Sequence, residues 1–355
     1  MSSDMMKAVV VEHYGPAENL VPRTVPSPGE PKGRDLLIQV EACSVNPIDV
    51  KVRAGKYDDY PDYYARVPGQ YQICGYDGAG TVLKTGPDCT LFHPGDEVFY
   101  SGSPVRQGSN AEVQLVDERS VAHKPRSLDM GEAAAMPLTY VTAYQALVQQ
   151  LKIEKGEKAA VFIINGAGGV GAVASQIARS VLELPVVITT ASRDESVNFT
   201  KKMGATHVLN HREDLVKQVE DLKLDVPVKY IFITHTTDEY MDTCAKVCAP
   251  FGKVCSIVQG QAKMYGTEFM AKSLSFIWCL IGTNPVCGVD VESHHRILEE
   301  LSGFLDSGKI KCHLTRKLGL TLDGIREAHR ATEKGGNIGK TAITRADAGG
   351  AELFV

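Results

Sequence analysis

Three glycines, Gly166, Gly168 and Gly171, stand at Gly-x-Gly-x-x-Gly spacing between the apolar run "AAVFII" and the Ala-rich stretch "AVASQIARSV". At a strand-to-helix turn each of them has its own reason to lack a side chain. The first permits the tight turn, the second lets backbone approach a pyrophosphate, and the third lets helix and strand pack closely. Gly169 and Val170 fall on the opening helical turn, where free N–H groups and the positive end of the helix dipole favour phosphate. This context, more than the glycines alone, points to a dinucleotide site. The tip of the next strand selects the dinucleotide, because NAD sites usually carry Asp or Glu there to hold the ribose 2′-hydroxyl. Here "VVITTASRDES" offers Ala191, Ser192 and Arg193 instead. A hydroxyl beside a guanidinium fork suits a 2′-phosphate, so the expected cofactor is NADPH. Asp194 lies beyond the strand tip and reads as a cap for the next helix. His235, in "ITHTT", follows another strand at its carboxyl end, and reads either as a residue of the cofactor cleft or as a surface-loop histidine.

The elements around these residues change character along the chain. The first ~130 residues hold short β-type runs, among them "KAVVVEHYG", "DLLIQVEACSV", "GAGTVLKTG", "GDEVFY" and "AEVQLVD". Gly- and Pro-rich turns separate them, which predicts a β-rich unit. From Asp129 onward strands alternate with helices: "KAAVFII", "PVVITTA", "HVLN", "KYIFITH", "GKVCSIV" and "LSFIWCLI" are the strands. That alternation predicts an α/β fold with a doubly wound parallel sheet of the Rossmann kind. The expected organisation is a first β-rich part over 1–133, a dinucleotide-binding domain over 134–309 closed by "ESHHRILEELSGFLDSG", and a return to the first domain over 310–355. The catalytic cleft is expected between the domains. "SLSFIWCLIG" reads either as an edge strand that pairs across a dimer or as a buried central strand.

Composition narrows the function classes. The chain has 355 residues, 43% hydrophobic and 23% charged, with a formal charge of −5. No basic stripe offsets the acidic balance, so nucleic-acid binding is not expected. The longest apolar run, at 274–282, is far short of the ~20 residues a membrane span needs. No charged segment followed by a long apolar one opens the sequence, so a cytoplasmic protein without membrane association is expected. Nine cysteines are scattered without a CxxC pair, and read as buried free thiols. "NFT" at 198–200 has the form of a glycosylation sequon by chance. Asp49 and Asp77 are candidate paired carboxylates for acid–base work, but turn and ion-pair roles account for them better. The stretch 56–72 and its flank hold Tyr57, Tyr60, Tyr63, Tyr64, Tyr71 and Tyr76. They form an aromatic wall suited to a planar acceptor, or ordinary surface packing.

"CSVNPIDVKVRAG", "GSNAEVQLVDERSVAHKPRSL", "EAAAMPLTYVTAY", "INGAGGVG" and "TASRDES" occur in that order. With them the chain resembles the medium-chain dehydrogenase/reductase superfamily, and within it the zinc-type alcohol-dehydrogenase-like branch of the quinone oxidoreductases. The resemblance covers nearly the whole length. It implies a GroES-like catalytic domain before and after a Rossmann domain, NADPH-dependent reduction of quinones or α,β-unsaturated carbonyls, and a homodimer. It also allows position-by-position comparison with zinc alcohol dehydrogenases, which carry Cys where this chain has Asn46 and His where it has Tyr76. The third ligand falls near "AMPLTY" (135–140), which has no thiol or imidazole, and Gly95–Val113 lacks the cysteines of a structural-zinc lobe. No metal site is therefore expected. Asn46 is implied beside the nicotinamide and substrate, or else as a turn residue. Tyr57 falls where related enoyl reductases keep a proton donor. Thr142 is implied near the nicotinamide half, or as a helix cap, and His211 stands where relatives flank the adenosine phosphate with Tyr. Tyr76 either lines the substrate pocket or fills the space a metal leaves. Two other readings stay open: a zinc-free or residual alcohol dehydrogenase, and an NADPH-binding structural or regulatory protein with little turnover.

Overall fold

Short apolar runs separated by glycine and proline become strands throughout the first part of the chain. The computed structural model describes residues 5–56 and 69–354, in two compact units. The first draws on Met1–Leu138, Gly282–Ser307 and Leu314–Val355, the second on Thr139–Ile281 and Gly308–His313. The chain opens with β1 (Met5–Val11), β2 (Leu20–Pro26), β3 (Asp35–Ser44) and α1 (Pro47–Arg53). β4 (Gln72–Ile73), β5 (Asp77–Thr85), β6 (Glu97–Ser101), β7 (Val113–Asp117) and β8 (Val121–His123) follow. Helices α2 (Met130–Ala134) and α3 (Pro137–Tyr144) lead to β9 (Ala160–Ile164), α4 (Gly169–Gln176), β10 (Val186–Thr190) and α5 (Asp194–Lys202). Next come β11 (His207–Leu209), α6 (Leu215–Asp221), β12 (Val228–Ile233), α7 (Thr237–Val247), β13 (Lys253–Ser256) and β14 (Ser275–Trp278). The last elements are α8 (Thr283–Cys287), α9 (Ser293–Asp306), β15 (Leu314–Gly319), α10 (Leu322–Lys334) and β16 (Lys340–Thr344).

In the first unit β3 is the central strand, paired antiparallel with β5, β7 and β16. The path β15-β16-β3-β5-β6-β8 brings the last strands of the chain onto the first. Leu36, Ile38, Val82, Val98, Tyr100 and Val121 form one core of this unit. β16 carries Lys340, Ala342 and Thr344 on one buried face, as strand alternation requires.

The second unit has one parallel sheet in the order β11-β10-β9-β12-β13-β14. Counted from β9 this is 3-2-1-4-5-6, the doubly wound order with its switch point between β9 and β12. All five residues of β9 are buried, as expected for a strand covered on both faces. β14 ends the sheet, so the sequence "SLSFIWCLIG" supplies an edge strand and not a central one. The α/β class and the separate β-rich unit both match expectation.

The position of α9 differs from the sequence reading. It groups with the β-rich unit, because Ile297, Leu298, Leu301 and Leu305 are buried on the side that packs on β8. His295 Nδ1 lies 2.7 Å from the Val121 carbonyl, and the Glu299 carboxylate accepts the His123 backbone N–H at 2.9 Å. Residues 308–313 stay with the parallel sheet, where Gln176 and Lys311 exchange two hydrogen bonds. The two units divide at 138/139 and 313/314, with 282–307 in the β-rich one, beside the boundaries of 133/134 and 309/310 expected for the domains. Among the described residues no helix is long and apolar enough to cross a membrane.

Candidate active site

In the parallel-sheet unit the glycine turn is held by its neighbours. Asn165 takes a left-handed φ of 64° directly after β9, a conformation Asn tolerates better than most residues. Its N–H donates to Thr190 Oγ1 at 2.7 Å, and the Gly166 N–H to the Thr190 carbonyl at 3.1 Å. Gly168 precedes the first residue of α4, so Gly169, Val170 and Gly171 occupy the turn whose N–H groups lack helical partners. A Cβ on Gly171 would stand 2.2 Å from the Asn165 carbonyl oxygen, and one on Gly166 2.4 Å from Thr189 Cβ. Both glycines are required by close approach.

Ser192, Arg193, His211 and His235 fall at the carboxyl ends of strands in the same sheet, and Thr142 lies on α3. Ser192 and Arg193 follow β10, half-buried and exposed, with the Arg193 N–H on Ser196 Oγ at 3.2 Å. Asp194 opens the first turn of α5, where a carboxylate complements the dipole. His211 follows β11 and His235 follows β12, both exposed. Partial burial, the Arg212 guanidinium and His235 hold the His211 imidazole below its ordinary range. Thr142, on α3, is 5% exposed, and its Oγ1 has no partner among the described residues. A buried hydroxyl without a partner is costly unless a ligand supplies one. The orphan hydroxyl and the glycine cradle fit a nicotinamide dinucleotide.

In the β-rich unit the segments compared with zinc ligands meet at a buried carboxylate. Asp77, at the start of β5, is fully buried. Its Oδ2 accepts from Ser44 Oγ at 2.6 Å and from Asn46 Nδ2 at 2.7 Å, and its Oδ1 from the Leu138 N–H at 2.7 Å. Lys340 Nζ stands 3.6 Å from Asp77 Oδ2, 2.7 Å from Asn46 Oδ1 and 2.8 Å from the Val45 carbonyl. Asn46 directly precedes Pro47, the first residue of α1, and Asp49 reaches back to accept the Asn46 N–H at 2.8 Å. Asp49 also accepts the N–H of Gly75, whose φ of 110° makes the bend in "CGYDG". Burial raises the Asp49 carboxyl to about 7, against the pull of its two N–H donors and of Lys340. Burial likewise pushes Asp77 up and Lys340 down, and their mutual attraction works against both shifts.

Tyr76 is 1% exposed, and its Oη lies 3.1 Å from Gln72 Nε2. Tyr57 lies outside the described residues. Neither an amide with both ends engaged nor a hydrogen-bonded phenol is the donor set of a zinc centre. Among the described residues no three His, Cys, Asp or Glu side chains are grouped as metal ligands. All nine cysteines are free. The sequence reading missed Lys340. Its only local signal is a lysine two residues before Ala342, sharing that residue's inward register in "KTAIT".

A Rossmann sheet with a glycine-lined phosphate turn, in one chain with a GroES-like unit, defines a nicotinamide-dependent oxidoreductase of medium-chain type. Residues 32–128 match the alcohol dehydrogenase GroES-like domain and 169–292 the zinc-binding dehydrogenase family. The chain belongs to the medium-chain dehydrogenase/reductase superfamily, in its zinc-type alcohol-dehydrogenase-like branch. It is 40% identical over 319 residues to a zinc-type alcohol dehydrogenase-like protein of Staphylococcus aureus (strain COL), covering 88% of this chain and 91% of that one. A crystal structure from Rhizobium etli CFN 42, with a provisional zinc-dependent alcohol dehydrogenase name, has a TM-score of 0.89 and 38% identity. It covers 96% of this chain and 98% of its own. An NADPH-dependent alkenal/one oxidoreductase of Arabidopsis thaliana is 29% identical over 344 residues, covering 95% of this chain and 79% of that protein.

Proposed function

We propose that the protein is an NADPH-dependent, metal-independent reductase of quinones or α,β-unsaturated carbonyls. The observation that carries this reading is the engagement of Asn46. The position compared with a zinc ligand is an amide tied to Asp77 and to the Lys340 ammonium. Without a Lewis acid, an alkoxide has no strong stabiliser, whereas an acceptor that is already electron-poor needs only a hydrogen-bond donor. The alkenal/one activity in the name of the Arabidopsis relative supports the same acceptor class. Ser192 and Arg193, in place of an acid at the β10 tip, support NADPH over NADH.

A bound NADPH supplies the hydride. In this reading the turn from Gly166 to Gly171 holds the pyrophosphate, Ser192 and Arg193 the 2′-phosphate, and His211 and His235 flank the adenosine half. Thr142 Oγ1 meets the amide of the nicotinamide half. The second Nδ2 hydrogen of Asn46 has no partner among the described residues, and it donates to the acceptor oxygen as charge builds there. Tyr57 delivers the proton, and Tyr76 backs the acceptor pocket. The working form is a homodimer.

The test is NADPH oxidation across quinones, alkenals and saturated aldehydes, with metal analysis of the same sample. Consumption with the first two groups, unaffected by chelators, is expected. Tightly bound zinc whose removal abolishes activity would sink the metal-independent reading. Cofactor binding without oxidation of any acceptor would sink the reductase.

A further inference from the structure

Lys340 is only 6% exposed, yet it carries a side chain that is costly to bury. Neutralising Asp77 does not by itself explain its position. Its contact with Asp77 is 3.6 Å, whereas its contacts with Asn46 Oδ1 and the Val45 carbonyl are 2.7 and 2.8 Å. The ammonium is therefore seated on the amide, with the carboxylate at the other end of the same amide. Asn46 Oδ1 faces the cation and Nδ2 faces the anion. Rotating the amide by half a turn would set like poles against each other at both ends, so only one orientation survives. A charged donor on an amide oxygen also draws electron density from the nitrogen and strengthens its N–H groups as donors. Asp77 uses one of the two Nδ2 hydrogens.

We propose that Lys340 is a positioning residue that fixes the orientation of the Asn46 amide and polarises its remaining N–H for the oxygen of the hydride acceptor. The proposal rests on the assignment of Asn46 to that oxygen. Lys340 touches neither acceptor nor cofactor in this scheme, and acts through Asn46. Asp77 keeps the ammonium in place and closes the pair.

The test compares Lys340→Met, Lys340→Arg, Asn46→Ala and the Lys340→Met/Asn46→Ala double variant in the full chain. Lys340→Met should lower kcat for acceptor reduction by about tenfold or more, a share of what loss of a whole oxyanion donor costs. Its Kd for NADPH should stay within about twofold, because the residues assigned to the dinucleotide are separate from Asn46. Lys340→Arg should recover most of the loss. In the Asn46→Ala background Lys340→Met should have little further effect, since coupled residues are not additive. Additive losses, or an equal fall with Arg and Met, overturn the proposal. Should the Met variant fail to fold, Lys340→Gln keeps a donor without the charge and gives the same comparison. A second measurement needs no acceptor: the side-chain amide resonances of Asn46, assigned by their loss in Asn46→Ala. They should lie outside the ordinary Asn range in the wild type and Lys340→Arg, and return to it in Lys340→Met or Lys340→Gln. Resonances that ignore Lys340 overturn the proposal whatever the acceptor. Resonances that follow Lys340, in a protein that reduces no quinone or enone, support the coupling and place the failure in the assigned reaction.

Discussion

At Asp49 burial and hydrogen bonding oppose each other. Burial raises its carboxyl from an ordinary 3.8 to about 7, although the Asn46 and Gly75 N–H groups favour the ionised form. A carboxyl that keeps its proton to higher pH when folded stabilises the fold most below its unfolded pKa. That contribution is lost as pH rises through the folded value. Asp49→Asn removes the titration. The advantage of the wild type over this variant in urea unfolding should therefore narrow as pH rises from about 4 towards 7. An advantage that widens over that range would mean that the two N–H donors, not burial, decide the ionisation. Arg193 gives a second test at this scale. Its guanidinium stands at the β10 tip, exposed, where a 2′-phosphate would be read. Arg193→Ala should weaken NADPH binding by about tenfold or more and leave NADH nearly unaffected. An unchanged Michaelis constant for NADPH would remove the assignment.

The β9–turn–α4 element is closed by contact as much as by conformation. Gly171→Ala would drive a methyl against the Asn165 carbonyl, 2.2 Å from the ideal Cβ position. The helix would have to move off the strand, at a cost of about 1–3 kcal/mol in unfolding experiments, and NADPH affinity should fall with it. A variant as stable and as tight-binding as the wild type would show that the turn has slack. This element was legible because its signals are local: an apolar run, three glycines at fixed spacing, then a helical pattern. Most strands were legible for the same reason. Helix α1 was not, although Asn46-Pro47 followed by Asp49 is a helix-start pattern; its seven residues are too few to show a clear helical period. For α9 the apolar stripe was readable, but not which surface would cover it, since an amphipathic pattern records a buried side and not its partner. The Lys340–Asn46 contact joins residues 294 positions apart, and no local periodicity encodes such a meeting. The resemblance made the replacement of Cys and His by Asn46 and Tyr76 legible, and that indicated what chemistry to doubt. It did not indicate the ammonium at the centre.

For the whole molecule, the distribution of exposed apolar side chains is uneven. Among the described residues, seven of the ten large exposed ones lie between Phe251 and Val289. Within that stretch β14 pairs with β13 on one side only. The N–H groups of Ser275 and Cys279 point to the β13 side, so by alternation those of Phe276 and Trp278 face the open edge. Trp278 is 46% exposed and carries the Phe276 ring against it at 4.8 Å. A short edge strand with an aromatic side chain and no charge of its own is a template for another strand. A second copy of the same strand, related by a two-fold axis, would meet it antiparallel and bury the same residues on both sides. The homodimer reading therefore predicts that the wild type sediments as a dimer at micromolar concentration. Trp278→Lys should shift the dissociation constant towards monomer by about tenfold or more, since it places like charges across the axis. Because β12 and β13 lie between β14 and β9, the strand that leads into the glycine turn, the monomer should still bind NADPH. A wild type that sediments as a monomer, or a Trp278→Lys variant that remains fully dimeric, would move the interface away from β14 and leave the apolar stretch from Phe251 to Val289 to a different partner.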